Sequence, residues 1–143
     1  MTRNVREGDS LIVLIKTMHQ ALRAALEHAM RDVGHTLPQQ AVLVAIAHEP
    51  GASSAELARG AFVSPQSMSE LLGQLQKAGW IAREPNPDNA RILRTTLTSA
   101  GRATMARGGK QLAAVEARLA AAMTSDEQTH LRTLLGRALD ALR

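Results

Sequence analysis

Apolar residues recur at helical spacing along most of this 143-residue chain. Leu11, Leu14, Ile15, Met18, Leu22, Leu26 and Met30 form one stripe, which predicts a helix over about 10–33 with Gly34 and His35 as its stop. Ile12 and Val13 add apolar surface off that stripe, and such surface wants a second partner. Val42, Leu43 and Ile46 predict a second helix over 37–48, ended by a Pro-Gly turn, and 54–60 reads as a short third helix around Leu57. Ser64 then caps a fourth helix, with Pro65 at its first position, where a missing N–H costs nothing. Met68, Leu71, Leu72, Leu75 and Ala78 share its inward face, and Gly79 closes it. Its back is polar, made of Gln66, Ser69, Glu70, Gly73 and Lys77, with Ser67 and Gln74 on the flank.

Two extended runs, WIARE and RILRTTLT, flank the turn-rich PNPDNA and predict a β-hairpin. Thr98 caps a long fifth helix over about 99–123, rich in alanine and weakened by Gly108 and Gly109. A sixth, over 125–142, is expected to bury Leu131, Leu134, Leu135, Ala138 and Leu139. Thr36 with Gln39, Ser53 with Glu56, and Thr124 with Glu127 have the spacing of capping boxes, so three helix starts are marked locally. Three short helices and a hairpin make a winged helix-turn-helix, mostly α with a small β-hairpin wing. The two chain ends carry more apolar surface than so small a unit can cover. The expected organisation is an N-terminal dimerisation helix at 1–35, a winged helix-turn-helix DNA-binding domain at 36–98, and C-terminal dimerisation helices at 99–143.

Composition narrows the function. Cysteine is absent, which removes disulfides, thiolate zinc sites, cysteine nucleophiles and thiol switches, and points to a cytoplasmic protein. The apolar run at 11–15 is too short to span a membrane, and no membrane partner is expected. A net charge of +4 suggests an anionic partner, yet residues 36–98 carry five basic and five acidic side chains and are neutral. Local placement of charge must therefore matter there. With one Trp, one Phe and no Tyr, base-stacking modules for single strands are disfavoured. His19, His28, His35, His48 and His130 never form the i, i+4 pair of a helical zinc site, so neither metal nor cofactor is expected. No phosphate loop or nucleophile elbow is present, and no catalytic residue or enzyme activity is expected.

The order of these elements, with Leu57-Ala58, Leu75, Gly79, Trp80-Ile81, Arg83, Leu97-Thr98 and Gly101 at their spacing, resembles the MarR family of bacterial transcriptional regulators over nearly the whole chain. The resemblance implies a homodimer that binds a palindromic double-stranded DNA operator, commonly as a repressor released by a small-molecule effector. It implies an effector pocket between the dimer helices and the winged domain, near Met18, His19 and Leu22. In the family the wing holds an Asp two residues before an Arg that approaches the minor groove; here Asn89 and Arg91 occupy those positions.

The residues themselves point the same way. Amides and hydroxyls from the first turns of a helix suit the major groove, where Gln pairs with adenine and Ser serves several edges. The expected DNA-binding set is Ser64, Gln66, Ser67, Ser69, Glu70, Gln74 and Lys77 on the helix, with Arg83, Asn89, Arg91 and Arg94 on the wing. Members of the family often place Arg or Lys at the positions of Glu70, Gly73 and Gln74, whereas only Lys77 is basic on this face. Glu70 either accepts from cytosine N4 or pairs with Gln66, Gln74 or Lys77 one turn away. Asn89 is expected to accept from the Arg91 guanidinium. The alternative is a winged-helix protein-interaction module without specific DNA binding; the neutral middle third favours it, and three arginines on one hairpin count against it.

Overall fold

The computed structural model describes residue 6, residues 8–61 and residues 63–143. Six helices and one hairpin follow in the order α1 (Leu11–Ala29), α2 (Leu37–His48), α3 (Ser54–Ala61), α4 (Pro65–Lys77), β1 (Ile81–Asn86), β2 (Asn89–Leu97), α5 (Ser99–Ala120) and α6 (Ser125–Ala141). Residues 1–5 and 7 of the expected N-terminal unit lie outside the described residues. No helix among the described residues is long and apolar enough to cross a membrane.

The core lies where α2, α3 and α4 converge under the hairpin. Val42, Leu43 and Ile46 of α2 meet Leu57 and Ala58 of α3, Met68, Leu72 and Leu75 of α4, and Ile81 of β1. Each large side chain taken fully out of water here contributes about 1.5–3 kcal/mol. On α4 the expected inward face holds at Met68, Leu72 and Leu75, whereas Leu71 is half-buried and Ala78 exposed. The helix ends at Lys77 with Ala78 as its C-cap, and Gly79 closes it at φ +78°, as its place in the sequence predicts. Its Trp80 N–H then bonds back to the Leu75 carbonyl at 3.0 Å.

All three capping boxes form: Gln39 closes on Thr36, Glu56 on Ser53 and Glu127 on Thr124. Thr98 joins three elements. Its hydroxyl donates to the Gly79 carbonyl at 2.7 Å and accepts from Gly101 N–H at 3.0 Å, and its own N–H donates to the Trp80 carbonyl. Gly101 is packed against that Trp80 carbonyl so tightly that a Cβ would overlap it. The end of the wing and the start of α5 are thereby tied to the end of α4. The hairpin is antiparallel, with Ile81 opposite Leu97 and Pro85 opposite Leu93, and a register shift between Pro85 and Asn86. Its root is fixed by exchanged bonds between Thr95 and the segment after α2, Gly51 N–H to Thr95 O at 2.8 Å and Thr95 N–H to Ala52 O at 3.1 Å.

Three expectations change. α1 stops at Ala29 rather than Val33, because i−3 bonds from Arg31 to His28 and from Val33 to Met30 tighten the chain and turn Met30 into the interior. His35 is not merely a stop: it is buried, its Nε2 lies 2.6 Å from Gln40 Oε1, and its ring meets Trp80 edge-on at 5.6 Å. α6 buries none of its residues within one chain. Leu134, Leu135 and Leu139 remain 45–55% exposed, as do Leu11, Ile12 and Ile15 of α1 at 55–77%. The apolar faces are where the sequence puts them, and a single chain leaves them uncovered.

Candidate nucleic-acid interface

Burial of Met68, Leu72 and Leu75 fixes the rotation of α4 and turns Gln66, Ser69, Glu70, Gly73 and Lys77 outward, all of them exposed. Ser64 is spent on the helix start: its hydroxyl accepts from Ser67 N–H at 3.1 Å and donates to Ser67 Oγ at 2.9 Å. Gln66 has no side-chain hydrogen bond among the described residues, so its carboxamide is available outward. Glu70 pairs with neither Gln66, Gln74 nor Lys77, contrary to the pairing expected from sequence, and has no side-chain partner among the described residues. Gln74 is engaged from another helix, its Oε1 accepting from Gln39 Nε2 at 3.0 Å. Beside it Gly73 has nothing within 4 Å of where a Cβ would stand. The middle of the polar face is therefore bare helix backbone between Glu70 and Lys77.

On the wing the four expected residues separate. Arg91 is exposed near the tip. Asn89 does not accept from its guanidinium; Asn89 Oδ1 accepts instead from the Arg91 backbone N–H at 3.2 Å, a short turn that leaves the Arg91 head without a partner among the described residues. Arg94 lies back over the turn after α2, where a Cβ on Gly51 would come within 2.6 Å of its guanidinium, so it is not part of the tip. Gly51 itself sits at φ +86°, which suits only glycine well. Arg83 is half-buried at the root, its Nε enclosed without a partner among the described residues.

A cleft of about 550 Å³ opens between α1 and the start of α2. His19 and Leu22 line it together with Arg23, Leu26, Pro38 and Ala41. Met18 does not; it faces a separate groove between α1 and α5. Arg23, absent from the sequence-derived set, brings a guanidinium to the cleft edge, where its Nε meets Glu27 Oε1 at 2.8 Å. The clue was available: His19, Arg23 and Glu27 stand four residues apart on one helix face. The first turn of α2 faces three ways at once. Pro38 lines the cleft, Gln39 reaches α4, and Gln40 donates to the Met105 carbonyl of α5 at 2.9 Å. No group of three or more His, Asp or Glu that could hold a metal ion exists among the described residues.

A sequence model of the MarR family matches residues 33–92. The HTH-type transcriptional repressor Rv2887 of Mycobacterium tuberculosis is 37% identical over 122 residues, 85% of this chain and 88% of that protein. The crystal structure of that MarR family protein in complex with DNA superposes with a TM-score of 0.76 at 35% identity, over 90% of this chain and 97% of that one. Its complex with p-aminosalicylic acid superposes with a TM-score of 0.72 at 35% identity, over 90% and 98%. A mutant MarR from E. coli superposes with a TM-score of 0.81 at 26% identity, over 94% and 99%.

Proposed function

The chain belongs to the MarR family, and from that premise we propose that it is a homodimeric, sequence-specific regulator of transcription, a repressor that leaves its operator when a small ligand binds. It acts by binding duplex DNA in the cytoplasm, without catalysis or a cofactor. The chain divides into the dimerisation helix at 1–35, the DNA-binding unit at 36–98 and the dimerisation helices at 99–143. The exposed apolar faces of α1 and α6 support the dimer, since a partner of the same shape covers both.

The observation that carries this reading is the outward polar face of α4, held in rotation by three fully buried side chains and followed by a wing with a free Arg91. Gln66, Ser69 and Glu70 suit base edges in the major groove, while Arg91 and Lys77 suit phosphate. In a two-fold dimer two such helices enter successive major grooves about 34 Å apart. The cleft beside α1 suits a small aromatic acid, with His19 and the terminal N–H groups of Arg23, whose Nε is held by Glu27, for the carboxylate, and Leu22, Leu26 and Pro38 for the ring. Salicylate-type acids bind the mycobacterial relative. A ligand wedged against Pro38 presses on the same turn that holds Gln74 and Met105, and so shifts α4 relative to α5. Affinity for the paired grooves then falls.

The test is anisotropy titration of the protein on a duplex obtained by random-site selection, with and without sodium salicylate. Specific binding that weakens with salicylate, and resists it in Arg23→Ala, supports both halves. Specific binding that ignores salicylate removes the effector class and leaves the DNA reading. Equal affinity for selected and random duplexes removes the DNA reading.

A further inference from the structure

Two glutamines on different helices form one hydrogen-bonded chain whose polarity is set from its far end. The Thr36 backbone N–H donates to Gln39 Oε1 at 2.9 Å. A backbone N–H can only donate, so the oxygen of the Gln39 carboxamide must face it and the –NH2 must face away. That –NH2 donates to Gln74 Oε1 at 3.0 Å. The oxygen of Gln74 is thereby turned toward α2, and its own –NH2 is left without a partner among the described residues, on the exposed flank of α4. Reversing Gln39 would set –NH2 against N–H and break the capping box. Reversing Gln74 alone would set one –NH2 against another.

The consequence lies in the major groove. A free glutamine offers one acceptor and one donor group and matches adenine at N6 and N7. With its oxygen turned toward Gln39, Gln74 presents its –NH2 to the groove, and the edge that answers those two hydrogens with two adjacent acceptors is guanine, at O6 and N7, whereas thymine offers the single acceptor O4. Gln66, with no side-chain partner among the described residues, keeps both groups and the adenine match. The two amides on one helix are therefore different readers, although nothing in residue type distinguishes them.

We propose that Gln39 is a specificity-determining residue that acts without touching DNA: it holds Gln74 as a hydrogen-bond donor, so that the base pair under Gln74 is selected for guanine. The proposal rests on α4 reading duplex DNA.

Gln39→Glu inverts the polarity while sparing the fold. A glutamate at this position of a capping box accepts from the Thr36 N–H as glutamine does. Its second oxygen then faces Gln74 as an acceptor, and Gln74 turns its –NH2 inward and its oxygen out. The reader becomes an acceptor, matched by cytosine N4 or adenine N6. Random-site selection from one duplex pool is run with the wild-type protein, Gln74→Ala and Gln39→Glu. Gln74→Ala marks the base position that loses its preference.

At that position the wild type should favour guanine by roughly tenfold or more, and Gln39→Glu should favour cytosine or adenine instead. The added negative charge weakens all sequences alike and drops out of the ratio. Gln39→Ala provides a second reading: it frees Gln74 to offer both groups, and adenine should join guanine at the marked position. A wild type that selects a site, with guanine retained there in both Gln39 variants or no position flattened by Gln74→Ala, overturns the proposal and leaves DNA binding intact. A wild type that selects no site overturns the DNA reading beneath it.

Discussion

Gly108 of α5 lies against the carboxamide of Gln40 on α2, so close that a methyl group at 108 would overlap Gln40 and come within 2.9 Å of His35 Nε2. What reads in sequence as a weak point in a helix is the space that lets α2 bond α5. Gly108→Ala should lower stability by about 1–3 kcal/mol through overpacking. At neighbouring Gly109 a Cβ would meet only Gln40 Nε2, at 4.0 Å, so Gly109→Ala should raise stability by about 0.5–1 kcal/mol. Urea unfolding of the pair checks this, and equal effects would contradict it.

Capping boxes such as Thr36–Gln39 were legible because both partners lie within one turn. The second role of Gln39 was not, because Gln74 is 35 residues away, and neither was the need for glycine at 108. The rotation of α4 followed from its apolar spacing, so the outward polar face was legible, although Ala78, expected inside, is exposed. The wing was legible only as a hairpin. Arg94 lies back over the left-handed Gly51 while Arg91 stands exposed near the tip, a difference set by a contact more than forty residues apart in sequence. Arg23 was passed over because an exposed arginine on a helix becomes distinctive only when a cleft opens beside it.

Gly73 sits in the middle of the exposed α4 face with no neighbour and no left-handed backbone. Gly73→Ala should therefore stabilise the free protein by about 0.5–1 kcal/mol. If duplex DNA approaches this bare stretch, the same change should weaken operator binding. Thermal unfolding and anisotropy on one preparation measure the two together. Lower stability in the free protein would contradict the packing given for α4.

The carboxylates of Glu56 and Glu127 are held below the ordinary glutamate range, chiefly by the backbone N–H groups of Ser53 and Thr124 and then by their hydroxyls. A lowered carboxylate pKa in the folded chain means a contribution fully present above the unfolded value and lost as pH falls through the folded one. The starts of α3 and α6 should accordingly fray on acidification below the ordinary glutamate range, read as faster amide exchange at Glu56 and Glu127. Glu127→Gln should remove most of that pH dependence at α6. An unchanged profile in that variant would contradict the assignment.

Leu135 and Leu139 are 50% and 55% exposed on α6. If a two-fold partner buries them, as proposed, Leu135→Asp with Leu139→Asp should dissociate the dimer or unfold the chain, because an obligate interface exposes core when broken. Light scattering and circular dichroism separate the two outcomes, and both entail loss of operator binding. A wild-type protein that is monomeric at micromolar concentration, or a double variant that stays dimeric, would contradict this role.

In the proposed function α4 reads sequence while the wing supplies sequence-independent affinity, and the two contributions separate in a salt-dependent titration. Wild type, Gln66→Ala and Arg91→Ala are titrated at two salt concentrations onto the selected operator and onto a random duplex. Gln66→Ala should cost about 1–3 kcal/mol on the operator and little on the random duplex. Arg91→Ala should weaken both and reduce the salt slope by about one, since one phosphate is no longer neutralised. Equal losses from the two substitutions on both duplexes, or no loss from either, would contradict it.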